Sequence, residues 1–331
     1  MPNRLRAFRA TAGLASALAL ACTTLLAVPA HAAFPEKPIK IYATAAPGAA
    51  TDIVARLVAD HMSKTLKQPV VVENQGGGGG TIALQTVARA PADGYTLAIT
   101  ATAFVASPFL YKQLPYDPQT AFAPVSQLVT FYNMLVTYPG FEAKTLQDFL
   151  ALAKTKPLSL GGGNLGGQSW VMLVKLNDMA KTKIEYIPYK GTGPALADLM
   201  GGHIQSVLSD PASMKGLLAD GKLRALAVTT PKRARAFPDV PAIAEAVPGY
   251  EQEGWLGMLA PKGTPRDVLM RIHAAVKEAL NDPEVRKRLV DGDFGIIGSS
   301  PDEFGPFLVK EFDAYGRIIK ATGVSLGDTP K

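Results

Sequence analysis

Two stretches of the chain, residues 39–56 and 158–176, end a short apolar strand, run through a loop built almost only of Gly, Ala and Thr, and then open an amphipathic helix. Loops that small leave the first N–H groups of the helix uncovered, and these unpaired donors act with the helix dipole to favour an anion. In the first loop Pro47 and Gly48 make a turn, Thr51 reads as an N-cap, and Asp52 falls in the first helical turn. A capped structural helix explains Thr51 and Asp52; it does not explain why residues 43–50 carry so little side-chain bulk. The candidate ligand-binding positions are Ala45, Gly48, Ala49, Ala50 and Thr51 in the first loop and Gly163, Asn164, Gly166, Gly167 and Gln168 in the second. A third stretch, 100–106, read as a loop, adds Thr102. None of the three carries Lys or Arg. An anion here would rest on amides and hydroxyls, each helix end contributing about 0.3–1 kcal/mol and ~2 when partly buried.

Catalytic chemistry is not spelled out. The second loop contains GxGxxG with Glu185 downstream, as a dinucleotide site would. That motif lies mid-chain in an exported protein, where nicotinamide cofactors are scarce, and Glu185 falls inside a strand pattern. The five glycines at 76–80 lack the lysine of a phosphate-binding loop and read as a flexible turn. His61, His203 and His273 have no zinc-ligand spacing, and no GxSxG elbow exists. Asp210 before Pro211 reads first as a helix N-cap and second as a ligand contact at a strand's C-terminal end. The expectation is a binder with no catalytic residue, no cofactor and no metal.

The elements that must position these loops alternate. Strands over 39–42, 70–73 and 96–100 bracket helices over 52–66 and 82–88, the pattern of a parallel sheet covered by helices. A strand-rich passage over 122–138 leads to a second such series through residue 230, and helices over 266–281, 283–291 and 301–322 close the chain. Residues 1–32 read as an export signal, with Arg4, Arg6 and Arg9, an apolar run over 14–28 and cleavage before Ala33. The single cysteine, Cys22, lies inside it, so the mature chain needs no disulfide. Of 34 basic residues three leave with the signal, giving 31 against 28 acidic and a net charge of +3 instead of +6. The basic run 232–235 has no interleaved aromatics and reads as a solvated loop, not a nucleic-acid site.

A series of motifs in order resembles one family, the periplasmic receptors of tripartite tricarboxylate transporters, also called Bug-type receptors. They are PGAATDIVARLVA at 47–59, QPVVVEN at 68–74, ADGYTL at 92–97, LPYDP at 114–118, PYKGTGPALADLMGGHI at 188–204, GKLRALAVTT at 221–230, FPDVPAIAEA at 237–246 and GWLGMLAPKGTP at 254–265. The resemblance implies an α/β, two-lobed Venus-flytrap fold of type II, each lobe a mostly parallel sheet flanked by helices. Residues 33–132 plus 254–331 would form lobe 1 and 133–253 lobe 2. It implies a monomeric periplasmic receptor that grips a small organic carboxylate with amides of both lobes and delivers it to a membrane permease, without nucleic acid. Asp210 falls where the family often has a cleft aspartate, and Tyr132 and Tyr189 are further pocket candidates. Departures are Ala45 for an aromatic, Ala49 for a glycine, Gly166 and Gly167 for serines, and Ser169 for a histidine. They point to a wider pocket and a bulkier or more apolar acid than an amino-dicarboxylate. An exported α/β enzyme and a receptor feeding a sensor kinase are the competing readings.

Overall fold

The computed structural model describes residues 34–163, 165–325 and 327. The export signal, its cleavage before Ala33 and the candidate Asn164 lie outside the described residues. In chain order the elements begin β1 (Ile39–Ala43), α1 (Ala50–Leu66), β2 (Val70–Asn74), α2 (Thr81–Ala88), β3 (Thr96–Ala101), α3 (Ala103–Leu110) and β4 (Phe122–Phe131). They continue with β5 (Met134–Thr137), α4 (Leu146–Thr155), β6 (Ser159–Gly162), α5 (Gln168–Ala180), β7 (Glu185–Pro188), α6 (Thr192–Met200), β8 (Ser206–Ser209), α7 (Pro211–Ala219) and β9 (Arg224–Val228). Then come β10 (Gly254–Pro261), α8 (Arg266–Asn281), α9 (Pro283–Asp291), β11 (Gly295–Ile296) and α10 (Pro301–Thr322).

The strands form a six-stranded sheet of order β11-β4-β10-β3-β1-β2 and a five-stranded sheet of order β7-β6-β8-β5-β9. In the first, β1 pairs in parallel with β2 and β3, while β10 runs antiparallel between β3 and β4. In the second, β6 pairs in parallel with β7 and β8, and β5 is antiparallel to β8 and β9. Each sheet is therefore mixed, with four strands running one way. The chain leaves the first sheet after Phe131, enters the second at Met134, and returns between Val228 and Gly254.

Period-two alternation places the cores. β5 sends Met134 and Val136 to one face of the second sheet and Leu135 to the other, each into its own apolar cluster. The first sheet's cluster collects Phe104 of α3, Trp255 of β10 and Phe304, Phe312 and Tyr315 of α10. It also takes Trp170 and Val171 from α5, a helix that follows a strand of the other sheet. Stretch 100–106, expected to be a loop, is the end of β3 and the first turn of α3. Its Thr-Ala-Phe-Val-Ala-Ser-Pro run has no helical signature, and Pro108 sits inside the helix. Packing of Phe104, Val105 and Leu110 overrides local preference.

Gly257, at a register shift of β10 against β4, shows how tight this core is. A Cβ there would come within 2.2 Å of Cζ of Phe304, whose ring stands edge-on to Trp255 at 5.7 Å. Gly257→Ala is expected to cost about 1–3 kcal/mol in urea unfolding, the range for overpacking; an unchanged midpoint would show that the ring yields freely.

Candidate functional site

The first loop is held by a closed chain of polar contacts. The Gly48 N–H donates to Oδ2 of Asp52 (2.8 Å), and Oδ1 of Asp52 lies 2.9 Å from Nε of Arg56. Arg56 Nη2 donates to Asn74 Oδ1 (2.8 Å), whose Nδ2 donates to the Ala45 carbonyl (3.1 Å). Burial disfavours the Asp52 charge, but the Gly48 amide, Arg56 and Asn74 outweigh it and hold the carboxyl below its usual range. The Ala49 N–H is also used, donating to Ala46 O at 3.2 Å. Among the described residues, the amides of Ala50 and Thr51 have no backbone acceptor. Thr51 does not cap the helix; Ala49 occupies the N-cap position without a side-chain bond. The α1 end is thus served by the chain's own carboxylate.

The second loop differs. No acidic residue lies in the first turn of α5, and its N-cap, Gly167, has no side chain to offer. Tyr186 anchors the loop: its hydroxyl donates to Gly163 O (2.8 Å) and meets Ser169 Oγ at 2.8 Å. Burial pushes that phenol up to about 12, against the pull of Ser169, so it stays a neutral donor. Gly166 takes a φ of +77°, and a Cβ on it would strike Leu110 Cδ1 at 2.0 Å. The first sheet's α3 therefore closes directly on this loop.

Against the second loop lies a cavity of about 450 Å³, which no residue of the first loop lines. Gly78, Gly79, Ala103, Ser107, Leu110 and Tyr111 wall it on the first sheet's side, and Leu165, Gly166, Gly167 and Pro188 on the second's. Among the described residues no charged side chain lines it. The glycine run read as a flexible turn is an ordered 3-10 turn at Gly78–Gly80 that leads straight into α2. Gly80 takes a φ of +93° and is packed so closely on Thr44 that a Cβ would lie 2.7 Å from that side chain. Gly76 packs on Ala45 and Ala46, so the first loop adjoins this turn.

The remaining candidates are dispersed. Thr102 is buried under Tyr315 at the start of α3. Tyr132 packs into the apolar cluster of the second sheet with its hydroxyl unpaired. Burial, then the nearby Asp293 charge, pushes its phenol well above the ordinary range. Tyr189 donates to Asp198 Oδ2 at 2.6 Å, and burial, reinforced by that carboxylate, pushes it up to about 12. Asp210 caps α7, accepting from Ser213 N at 2.9 Å. Gln168 turns its side chain against Gly254, leaving Nε2 buried without a partner. Sequence reasoning passed over Gly78, Gly79, Ala103, Ser107, Leu110, Tyr111, Leu165 and Pro188. The glycine run next to a helix start was a usable signal for the first two; the apolar ones carry none without the fold.

Two mixed α/β sheets joined by two crossings, with an uncharged cavity between their loops, define a two-lobed solute-binding protein of the Venus-flytrap class. The chain matches, over residues 54–324, the family described as "Tripartite tricarboxylate transporter family receptor". It is 30% identical to Protein BugT of Bordetella pertussis over 92% of this chain and 95% of that one. Among solved structures, Rpa4515 of R. palustris with adipate is 31% identical with a TM-score of 0.80, covering 88% of this chain and 99% of that one. MatC of Rhodopseudomonas palustris with bound malate is 31% identical with a TM-score of 0.75, covering 86% and 100%. This chain belongs to the tripartite tricarboxylate transporter receptor family.

Two measurements follow from this geometry. Because the native Asp52 pKa is depressed, its contribution is present above the unfolded value near 3.8 and is lost as pH falls through the native one. Asp52→Asn is expected to lower stability by about 1 kcal/mol at pH 7, as for loss of a helix cap, with the gap to wild type closing in acid; a pH-independent gap would reject the network. Gly166→Ala is expected to destabilise through both φ and Leu110, and Leu110→Ala in the same chain should restore part of the loss. Simple additivity of the two would show that they do not touch.

Proposed function

We propose that this chain is a periplasmic receptor that captures a small organic carboxylate and hands it to a tripartite tricarboxylate-type membrane permease. The export signal is cleaved before Ala33, the lobes are residues 33–132 plus 254–331 and 133–253, and the receptor works as a monomer without chemistry on its ligand. One observation carries the reading: the α5 N-terminus, with no acid in its first turn, opens at Gly166 and Gly167 into a cavity that has no charged side chain among the described residues. Amides there can pair a carboxylate. Ser107 and Tyr111 are the protic side chains among the described lining residues, without histidine or carboxylate to activate either, which favours holding over turnover.

The walls supplied by Ala103, Leu110, Tyr111, Leu165 and Pro188 favour an acid with an apolar or aromatic body. This agrees with the loss of hydroxyls at Gly166 and Gly167. The adipate and malate bound by related structures support a carboxylate ligand. Calorimetry of unfolded and refolded protein, freed of retained acid, is expected to show one-to-one binding of an apolar or aromatic monocarboxylate. Preference for aspartate or glutamate over every larger acid would reject the ligand assignment, and conversion of the bound acid would reject the receptor itself.

A further inference from the structure

A second cavity, of about 370 Å³, opens between Phe104 of α3, the 117–121 turn, β4, β10 and α10. Its floor is the aromatic core of the first sheet: Phe104 stands edge-on to Phe122 at 5.6 Å and to Phe312 at 5.4 Å. Val309, at its mouth, is 62% exposed, the largest value among the exposed large hydrophobics of the described residues.

Gly305, inside α10, lines the same cavity. Its backbone is not left-handed, and beyond its chain neighbours a Cβ there would meet only Pro124 Cγ at an ordinary 3.8 Å. Gly305 precedes Pro306, where a Cβ would crowd the proline ring in helical geometry, so glycine suits the helix there and also leaves the cavity open on this side. The rim is polar and one-signed. Asp313 is the single charged residue of the lining, beside Gln119 and Thr120. The Thr120 hydroxyl donates to Asp117 Oδ2 (2.9 Å), which leaves its oxygen as an acceptor.

We infer that this is a second ligand site, which takes a small aromatic ammonium compound. The ring seats on Phe104, Phe122 and Phe312, and the ammonium lies at Asp313. The volume falls in the range of small-molecule pockets, and edge-on rings with a nearby carboxylate suit a cation that carries an aromatic group. Its charge preference is opposite to that of the uncharged, amide-lined cavity, so the two sites select different compounds.

The test is titration of the full chain with 2-phenylethylammonium and, separately, 3-phenylpropionate, followed by calorimetry and by fluorine NMR of a ring-fluorinated probe. Saturable one-to-one binding of the ammonium is expected, with at least a tenfold loss in Gly305→Leu, which fills the space. Asp313→Asn should weaken it about threefold, the scale of one exposed ion pair. Asp313→Lys, an exposed change that keeps the core intact, should abolish ammonium binding even if Gly305→Leu does not fold. Absence of saturation at the solubility limit, or ammonium binding unaltered by Asp313→Lys, overturns the site. Ammonium binding displaced by 3-phenylpropionate would assign it to the other cavity and overturn the site as well.

Discussion

A helix whose first turn carries no acid, and whose N-cap is a glycine, presents its first amides without a side-chain acceptor of its own, and everything here depends on that constraint at α5. The contrast with α1 makes the point. There the same kind of small-residue loop meets Asp52, which takes the Gly48 amide and the Arg56 guanidinium, so the positive end of the dipole is already answered from within. Both loops look alike in composition; at α1 an acidic residue sets a negative charge beside the first-turn amides, and at α5 none does.

The rest of the molecule keeps that second end in place. Tyr186 fixes the loop from the β7 side through Gly163 and Ser169. Leu110 presses on Gly166 from the α3 side, which excludes any side chain there. Tyr250, on the return segment between the sheets, donates to Met172 O within α5 at 3.0 Å, and Trp255 Nε1 donates to Glu311 Oε2 at 2.8 Å on α10. Burial holds the Glu311 carboxyl above its usual range, against the opposing pull of Trp255 and Lys175.

Much of the architecture was legible because apolar periodicity and turn residues report on local structure. The strand at 39–42, the helix at 52–66 and the closing helices at 266–281 and 301–322 lie within two residues of the observed elements. What failed was α3, whose residues are helical because of what Phe104 and Leu110 touch, not because of their own preferences. The two-residue β11 was equally invisible, since it exists only by pairing with Thr130 and Val129. At the site, composition singled out Gly166 and Gly167 as candidates, but the opposing wall of Leu110 and Tyr111 is set by contacts across more than fifty residues of sequence. Thr51 misled for another reason: the helix begins one residue before it, so Ala49 holds the N-cap position and Thr51 lies inside the first turn.

Trp170 and Val171 follow a strand of the second sheet yet lie in the apolar cluster of the first. The indole works as a rivet: it ties the start of α5, and with it the Gly167 end, to the apolar core of the larger sheet, so that this loop is fastened from both sheets at once.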